Sequence, residues 1–401
     1  MKINSFFKDL SKFNAIYKRR NQNVSSLAEE IDIADKINKL QKELHPGYIK
    51  CKITQIRDVN TRVREIRFEP LDFSLPFFEP GQFVSIKVNI LGTITTRPYS
   101  IISSPSKTLI EKPYFEICVK KENHGFVSNY LFYDVIVGQT LECDLPHGFL
   151  YYEPLRDTKN IIAIALDMGI TSFISLARAI NENIIDANLT ILYSTNSHID
   201  DIYDEELNQM VNASSKIKLI HVISGADEVL RFGDETGVID KQIITKYSLD
   251  YNPSNGKNTY FICGPYKMYS FVMSQLLNLN VPLKRIRKQI FQNKYDILDD
   301  KEYPLSEVQR FNVKVIQGLK ETDISVLSID NLAVSLEKNH ITINTCCRSG
   351  VCGMCRIKVI EGDYYSPKFC DNRRRADKKF NYTYACNTYP LSDMIIKVDI
   401  I

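Results

Sequence analysis

Cysteine spacing near the C-terminus is the feature that most restricts how this chain can fold. The sequence has ten cysteines in 401 residues. Four of them stand alone, whereas six lie between Cys346 and Cys386. Within this group Cys347, Cys352 and Cys355 follow the pattern C-x4-C-x2-C, and Cys386 comes later. Clustered thiols in a long chain indicate a metal centre rather than a disulfide framework.

The pattern corresponds to one kind of metal centre. A C-x4-C-x2-C run followed by a distant fourth cysteine is the spacing of plant-type [2Fe–2S] proteins. Gly350 and Gly353 would allow the tight turns of such a loop, and backbone N–H groups freed there would donate to the sulfurs. The predicted metal ligands are Cys347, Cys352, Cys355 and Cys386.

Other assignments of these cysteines remain open. A structural zinc site also uses four cysteines, but commonly as two C-x2-C pairs, and this segment has one. Cys346 in place of Cys347 would lengthen the first gap to five residues. Cys370 lacks the flanking sequence of Cys386. We therefore expect a [2Fe–2S] cluster, with Cys346 and Cys370 outside its ligand set.

The periodicity of apolar residues divides the chain into several units. Residues 3–17 and 33–44 have helical patterns, short strands separated by turns follow from Ile49, and strands alternate with helices from Asn160. These patterns favour an antiparallel barrel and then a doubly wound parallel sheet, hence a multidomain α+β protein. The expected units are an N-terminal helical extension (1–47), a β-barrel (48–153), an α/β domain (154–293), a linker (294–310) and the cysteine-rich domain (311–401).

Charge and hydropathy exclude some classes of partner. A formal charge of +3 without a dense basic stripe gives no indication of nucleic-acid binding. No run of 18 apolar residues occurs, and no separate apolar block follows the first lysines, so neither a membrane span nor a secretory signal is expected. Reduced cysteines favour the cytoplasm. We expect residues 1–45 to pack on protein; a membrane-surface anchor is the less favoured alternative.

A second motif lies in the barrel region. Arg97, Tyr99, Ser100 and Ser103 fit the pattern R-x-Y-S-x-x-S. An arginine can pair with a phosphate through two hydrogen bonds, a tyrosine offers a flat face to a ring system, and serine hydroxyls reach ring heteroatoms. The segment resembles the flavin motif of the ferredoxin–NADP reductase-like superfamily, and the resemblance covers about residues 50–290. It implies a flavin bound by these four residues.

Two later segments extend this resemblance. Residues 124–128 (HGFVS) are similar to the family's G-G-x-V-S, in which a helix N-terminus binds the flavin pyrophosphate; this implies roles for Gly125, Val127 and Ser128. A histidine replaces the first glycine of that pattern. Residues 146–149 (PHGF) resemble the P-x-G-x-F stretch that closes the barrel. The end of the arginine motif is closer to FAD-binding relatives, so FAD is expected over FMN.

The α/β region carries the corresponding nucleotide motif. Residues 263–268 (CGPYKM) resemble the family's C-G-P-x-x-M. The resemblance implies that Cys263 lies beside the nicotinamide C4, where hydride leaves, and is the catalytic residue. It also implies that Gly264, Pro265 and Met268 surround the dinucleotide.

An earlier phosphate loop departs from the family's G-G-x-G-I-T-P. Residues 166–172 read LDMGITS, so Gly169 and Thr171 are retained, the latter as a potential helix cap. Leu and Asp replace two glycines, and Asp167 places a negative charge where phosphates approach. No Arg or Lys follows the next strand to pair with a 2′-phosphate, which favours NADH over NADPH. Phe291 lies where relatives end this domain with E-x-F and would stack near the flavin.

The cysteine-rich segment resembles plant-type ferredoxins beyond its ligands, since residues 347–353 nearly match that family, and a β-grasp fold is implied. The domain order resembles the reductase components of oxygenase systems and the reductase of hybrid-cluster protein. It implies electron transfer from NADH through flavin and cluster to a separate acceptor, such as an oxygenase or other metalloprotein. The alternative, motivated by Leu166 and Asp167, is an electron-transfer subunit of a larger complex that does not itself oxidise NAD(P)H.

Overall fold

The computed structural model describes most of the chain: residues 11–23, 47–71, 75–144, 146–225, 230–248, 257–290, 297–368 and 371–399. The chain divides into two compact units, Met1–Tyr48 and Ile49–Ile401. In the first, helix α1 covers residues 11–23, which confirms a helix in the N-terminal extension. The helical pattern at 33–44 lies outside the described residues. No described helix is long and apolar enough to cross a bilayer.

The first sheet has six strands, which alternate buried and more exposed residues as a barrel wall requires. They are β1 (Tyr48–Asp58), β2 (Val63–Pro70), β3 (Phe83–Ile90), β4 (Thr93–Ser100), β5 (Phe115–Lys120) and β6 (Thr140–Asp144). Ile53, Ile66 and Ile117 fill its core. The strands lie in the order β4-β3-β6-β1-β2-β5, and an antiparallel bridge from Ile101 to Ile117 joins the two edges. The predicted antiparallel barrel is confirmed.

A short helix follows β5 where the pyrophosphate motif was predicted. Helix α2 covers Phe126–Asn129 and continues into a wider turn over Tyr130–Asp134. His124, which replaces the first glycine of the motif, has a φ of 60°. Histidine is among the residues that tolerate this left-handed conformation, so the replacement keeps the backbone course of the glycine.

The second sheet is parallel and doubly wound, as predicted. Its strands are β7 (Asn160–Leu166), β8 (Asn188–Thr195), β9 (Ile217–Ile223), β10 (Glu235–Thr236), β11 (Asn258–Gly264) and β12 (Ile286–Ile290), in the order β10-β9-β8-β7-β11-β12. Helices α3 (Thr171–Asn181) and α4 (Asp204–Ala213) cover one face, and α5 (Lys241–Tyr247) and α6 (Tyr266–Asn278) the other. The direction of strand order changes at β7, so the crevice at the carboxyl ends of β7 and β11 is the expected ligand position.

The C-terminal sheet has the predicted β-grasp form. Its strands are β13 (Arg310–Gln317), β14 (Lys320–Leu327), β15 (Arg356–Glu361), β17 (Tyr382–Tyr384) and β19 (Met394–Val398), with a separate pair, β16 (Tyr364–Tyr365) and β18 (Tyr389–Pro390). Helix α7 (Leu332–Lys338) buries Leu332 and Leu336 against this sheet, and α8 (Arg375–Lys379) is a short outer helix. In the predicted linker, Ile297 and Tyr303 pack against Tyr389 of this domain.

Candidate redox site

The four predicted ligand cysteines converge as two pairs. Cys355 Sγ and Cys386 Sγ lie 3.3 Å apart, and the thiols of Cys347 and Cys352 are within hydrogen-bonding reach of each other. A [2Fe–2S] cluster needs two thiolates on each of its two irons. The arrangement therefore fits this cluster, with one cysteine pair for each iron.

Backbone N–H groups point at the ligand sulfurs, as the sequence predicted. Ser349 N and Cys352 N lie 3.5 and 3.3 Å from Cys347 Sγ, and Met354 N lies 3.5 Å from Cys352 Sγ. Such donors stabilise the charge of a metal-bound thiolate and adjust the potential of the cluster. The two donors at Cys347 favour it over its neighbour Cys346 as a ligand.

Left-handed turns form the ligand loop. Arg348, Gly350 and Gly353 have φ values of 50°, 71° and 76°. A Cβ atom at Gly353 would lie 3.2 Å from the Tyr384 hydroxyl, so a larger residue would push against that ring. The two glycines hold the conformations that the sequence analysis predicted for them.

Cys346 and Cys370 are the two cysteines that could replace a predicted ligand, and the structure describes only Cys346. Cys346 and Cys347 both lie in a buried group with Phe83 of the barrel. The Cys346 sulfur is within 4.8 Å of ligand atoms of Asp144 and His147, and its thiol is also within hydrogen-bonding reach of Cys352. Burial beside Phe83 therefore does not separate Cys346 from Cys347, and the two backbone donors at Cys347 are the observation that favours Cys347. Cys370 lies outside the described residues. The exclusion of both from the ligand set remains a prediction.

Arg97 lies on the barrel strand β4, on the side of the barrel that contacts the cysteine-rich domain. Its guanidinium donates to Thr95 Oγ1 at 2.6 Å and lies 3.5 Å from Glu337 Oε2 on α7. Burial, with the nearby Arg348 guanidinium, lowers the pKa of Arg97 to about 10. Arg97 is therefore a cation at neutral pH, and its carboxylate neighbour Glu337 belongs to the cysteine-rich domain.

The remaining residues of the arginine motif point in two directions. Tyr99 is half-buried, and burial raises its pKa, so its hydroxyl is neutral. Ser100 Oγ lies 2.9 Å from Ser172 Oγ, at the carboxyl edge of the parallel sheet. Ser103 Oγ instead accepts the backbone N–H of Glu116 at 3.2 Å. The structure thus brings Ser100, and not the Ser103 hydroxyl, toward the nucleotide motif.

The short helix α2 begins directly after Gly125 of the predicted pyrophosphate motif. Gly125 is its N-cap residue, and a Cβ atom there would lie 2.2 Å from Ser128 Oγ. Val127 is buried in the barrel core and fixes the helix in place. Gly125 is therefore needed for the close approach of the Ser128 hydroxyl to the helix start.

Ser172 joins the flavin motif to the nucleotide motif. Its hydroxyl lies 2.9 Å from Ser100 Oγ and 3.2 Å from Cys263 Sγ, and Gln289 Nε2 approaches it at 3.5 Å. Burial raises the pKa of Cys263 to about 12, so it is a neutral thiol. Sequence reasoning missed Ser172. The one signal in the sequence was that it replaces the proline of G-G-x-G-I-T-P.

Two glycines let the loops after β7 and β11 interlock. A Cβ atom at Gly169 would lie 2.0 Å from the Cys263 carbonyl oxygen, and one at Gly264 would lie 2.4 Å from Leu166 Cβ. Gly264 also has a φ of 150°. Because both contacts involve the neighbouring loop directly, Gly169 and Gly264 are required for packing, whatever contact each makes with a dinucleotide.

The predicted helix cap at Thr171 is wrong. Thr171 is already the first residue of α3, and Ile170 occupies the N-cap position without a side-chain hydrogen bond. A 3-10 turn over Asp167–Ile170 precedes the helix, so Thr171 Oγ1 donates back to Met168 O at 2.8 Å. The hydroxyl therefore stabilises the loop rather than the free N–H groups of the helix.

Three further residues were predicted to contact the cofactors, and the structure describes two of them. Pro265 is exposed and precedes the first residue of α6. Met268 is half-buried against the core beneath α5 and α6. Phe291 lies outside the described residues. The roles of all three at the dinucleotide remain predictions.

Asp167, the unexpected acid of the phosphate loop, has a cationic partner. Both of its carboxylate oxygens lie 2.9 Å from Lys120 Nζ on β5. The residue adopts a φ of 50°, which one glycine of the family pattern would supply freely. The ion pair offsets the negative charge that the sequence placed near the phosphates. Lys120 was not predicted, because its partner is distant in the sequence.

Glu337 links the arginine motif to the cysteine loop. It accepts hydrogen bonds from Arg348, which follows the ligand Cys347, and from Thr95 on β4. Burial alone would raise the pKa of Glu337, but Arg348 and Arg97 together hold it below its usual value. This buried carboxylate is therefore ionised and shared by two domains.

Family models match three parts of the chain. Residues 50–152 match the oxidoreductase FAD-binding domain, residues 164–274 the oxidoreductase NAD-binding domain, and residues 320–391 the 2Fe-2S iron-sulfur cluster binding domain. These matches confirm FAD, NAD and a [2Fe–2S] cluster as the expected cofactors.

Similar proteins include whole reductases and parts of larger proteins. Flavohemoprotein A of Dictyostelium discoideum is 31% identical over 238 residues, which is 56% of this chain and 55% of that protein. The glycine betaine monooxygenase reductase subunit of Chromohalobacter salexigens is 23% identical over 333 residues, 80% of this chain and 87% of the relative. The structure of phthalate dioxygenase reductase has a TM-score of 0.62 at 18% identity, covering 88% and 98%. The chain thus spans about half of the flavohemoprotein, and the structural likeness shows the fold.

Proposed function

We propose that this chain, a ferredoxin–NADP reductase-like flavin/[2Fe–2S] reductase by its matched domains, passes electrons from NADH through FAD to its cluster and on to a separate acceptor protein. One observation carries the proposal: Ser172 lies within 2.9 Å of Ser100 and 3.2 Å of Cys263. The barrel motif and the nucleotide motif therefore meet at one point in the fold.

The residues at this point position reactants and exclude water. A bound flavin supplies the step between two-electron chemistry at a nicotinamide and one-electron chemistry at a cluster. Cys263 is fully buried and neutral, so it offers a polarisable contact without a charge. The Ser172 hydroxyl has one proton and two acceptor sites, so it can hold Ser100 and Cys263 in fixed relative orientation.

NADH is the donor that the crevice supports. The pairing of Asp167 with Lys120 leaves the phosphate loop close to neutral. After β8 the chain presents His198 and Asp201 rather than an arginine or lysine suited to a 2′-phosphate. The proposal therefore specifies NADH in preference to NADPH.

The acceptor would dock on the exposed edge of the cysteine loop. Cys352 is exposed, and its neighbours Val351 and Met354 are each 48% exposed. Electron-transfer encounters bury small surfaces and are short-lived, so a compact apolar rim beside a ligand cysteine suits this purpose. An oxygenase or other metalloprotein fits this description. A cytoplasmic location remains a prediction from the sequence.

Rapid mixing with NADH tests the donor half of the proposal. Anaerobic protein containing FAD and cluster should lose its flavin absorbance within seconds of mixing with millimolar NADH, and NADPH should react more slowly. Cys263→Ala should slow this step. Cys51→Ala, which removes an equally buried thiol from the barrel core, should leave its rate nearly unchanged.

A second function is favoured by one observation in the phosphate loop. Leu166 and Asp167 replace glycines there, and Leu166 packs against the position of Gly264. A subunit of a larger complex that receives electrons from another protein would have no need of an open dinucleotide loop. A flavin that stays oxidised with NADH and NADPH, but is reduced by dithionite, would support this function and exclude the first.

A further inference from the structure

A group of imidazole and carboxylate side chains lies at the carboxyl edge of the parallel sheet, apart from the redox residues described above. We call it the histidine–aspartate cluster. It consists of His198, Asp201, Asp204, His221 and Asp234. These residues come from the turn after β8, the start of α4, the strand β9 and the loop before β10.

Three ligand atoms of the cluster converge. His198 Nδ1 lies 2.7 Å from Asp201 Oδ2, and His221 Nδ1 lies 3.1 Å from the same oxygen. One ligand atom from each of these three residues lies within 4.8 Å of the ligand atoms of the other two. Two imidazoles and one carboxylate around a common point form a ligand set that suits Zn²⁺ and related divalent ions.

The second nitrogen of each imidazole ring also lies close to a carboxylate oxygen. His198 Nε2 lies 2.8 Å from Asp234 Oδ2, and His221 Nε2 lies 3.0 Å from Asp204 Oδ1. A histidine that binds a metal through one nitrogen usually presents its other nitrogen to such a carboxylate, which fixes the tautomer and the ring orientation. The His198 ring has this arrangement, and at His221 a carboxylate oxygen lies at a similar distance without the geometry of a hydrogen bond.

His221 lacks conventional hydrogen bonds. It is 7% exposed, and neither of its ring nitrogens has a hydrogen bond of acceptable geometry among the described residues, although carboxylate oxygens are close. A buried polar group without a partner costs free energy. A cation between the side chains would give the Nδ1 lone pair a partner.

The charge of the group also calls for a cation. The cluster holds three carboxylates, and the side chains of Asp201 and Asp234 are 1% and 5% exposed. Arg231 pairs with Asp204 at 2.7 Å, which leaves two carboxylates and two imidazoles. Buried carboxylates without compensation are strongly unfavourable. One divalent ion would balance them.

We propose that this cluster binds one divalent transition-metal ion, of which Zn²⁺ is the test case, through His198, Asp201 and His221. Asp234 and Asp204 orient the two rings, and water completes the coordination. The ion ties β8, β9 and α4 together at the sheet edge. The site involves neither the flavin motif nor the cysteine loop, but His198 and Asp201 follow β8, where the ribose of NADH is expected. Its test therefore measures zinc binding and not the oxidation of NADH.

Metal analysis of the full chain tests this proposal. Protein with its iron–sulfur cluster fully loaded is treated with a mild chelator, given zinc, desalted and analysed for zinc and iron together. The expected result is about one zinc per chain at unchanged iron. The X-ray absorption of the bound zinc should show nitrogen and oxygen neighbours at about 2.0–2.1 Å and no sulfur at about 2.3 Å.

Variants separate this site from other histidines. His198→Gln and His221→Gln should each weaken zinc binding by more than about 100-fold in competition with a chromophoric chelator. His340→Gln, which changes an exposed histidine hydrogen-bonded to Thr93, should bind zinc normally. Iron content and far-UV circular dichroism report whether each variant is folded.

Three outcomes would overturn the proposal. They are zinc below about 0.2 per chain in folded protein, sulfur in the first coordination shell of the zinc, and equal zinc affinity in the wild-type chain and the His198→Gln variant. The first would show that the cluster is stable in the folded protein without a metal ion. The second would place the zinc on cysteines that had lost their iron.

Discussion

Ser172 occupies a position at which a single hydroxyl influences two motifs. Ser172→Ala removes the group that contacts Ser100 Oγ and Cys263 Sγ. We expect flavin reduction by NADH to slow about tenfold, because small losses of alignment at a reacting centre have large effects on rate. Stopped-flow absorbance measures this step. Ser175→Ala is the control, since that hydroxyl donates to the Ser103 carbonyl instead; equal slowing in both variants would contradict the role of Ser172.

A second prediction for a single residue concerns Lys120. In Lys120→Met the Asp167 carboxylate loses its partner and faces the approaching phosphates uncompensated. We expect the KM for NADH to rise about fivefold to tenfold with little change in kcat, because a repulsion near 1 kcal/mol acts on binding alone. Lys121→Met removes an adjacent charge that lies over the Phe132 ring. If Lys121→Met raises the KM equally, general loss of positive charge explains the effect.

These two residues also show which parts of the site the sequence could reveal. Motif residues such as Ser100 and Cys263 were identified because their chemistry requires fixed local spacing. Lys120 and Ser172 act through partners distant in sequence, and no local pattern indicates such a pair. The prediction of a helix cap at Thr171 was wrong because a 3-10 turn precedes α3, which places the cap position one residue earlier, at Ile170.

Helix α7 and strand β4 form the contact between the cysteine-rich domain and the barrel, and Glu337 is its charged centre. Glu337→Gln leaves Arg97 and Arg348 close together without their shared carboxylate. We expect a loss of about 3 kcal/mol in stability, typical for one partner of a buried ion pair, and slower reduction of the cluster after flavin reduction. Thermal unfolding and stopped-flow spectroscopy measure the two effects.

A neighbouring residue provides the control for this contact. Lys338→Gln removes an exposed lysine that pairs with Asp330, and surface changes of this kind are usually within about 0.5 kcal/mol. Both readouts should therefore stay near wild type. Slower cluster reduction in Lys338→Gln, or unchanged reduction in Glu337→Gln, would show that Glu337 does not hold the two domains in working contact.

Elements with strong periodicity were predictable, and short ones were not. The pattern over Ile161–Leu166 gave β7 to within one residue, because a buried parallel strand is a continuous apolar run. Strand β10 has two residues, Glu235–Thr236. Such a segment is a strand only because β9 lies beside it, so no property of its own sequence indicates it.

At the scale of the whole molecule, the order of the domains followed from the sequence, but their contact did not. The cysteine loop contacts the barrel through hydrogen bonds such as that from Ser85 Oγ to the Cys346 carbonyl oxygen, between residues 261 positions apart in the sequence. Two basic segments, residues 284–288 and 373–375, could steer an acidic acceptor by their charge, but in the folded protein part of that charge is paired with carboxylates. Arg287 pairs with Asp157, and Arg373 with Asp371. Steering by these segments is therefore weaker than their sequence suggests.

The proposed function makes the cluster the last carrier before the acceptor protein, and two separate activities test this order. In Cys386→Ser the cluster loses a ligand, so the iron content should fall well below about two per chain. NADH–ferricyanide activity, which needs the flavin alone, should persist, while reduction of cytochrome c should fall at least about tenfold because a cluster supplies single electrons to protein acceptors. Iron analysis and the electron paramagnetic resonance signal of the reduced cluster accompany the two assays.

Cys346→Ser is the matched variant, since Cys346 is the direct neighbour of the ligand Cys347 and is also buried, but lies outside the C-x4-C-x2-C spacing. It should keep its iron and both activities, with at most a small change in cluster reduction. Loss of iron in Cys346→Ser with retention in Cys347→Ser would reverse the ligand assignment. Loss of both activities in Cys386→Ser would mean instead that electrons reach ferricyanide only through the cluster, and the order of transfer along the chain would have to be revised.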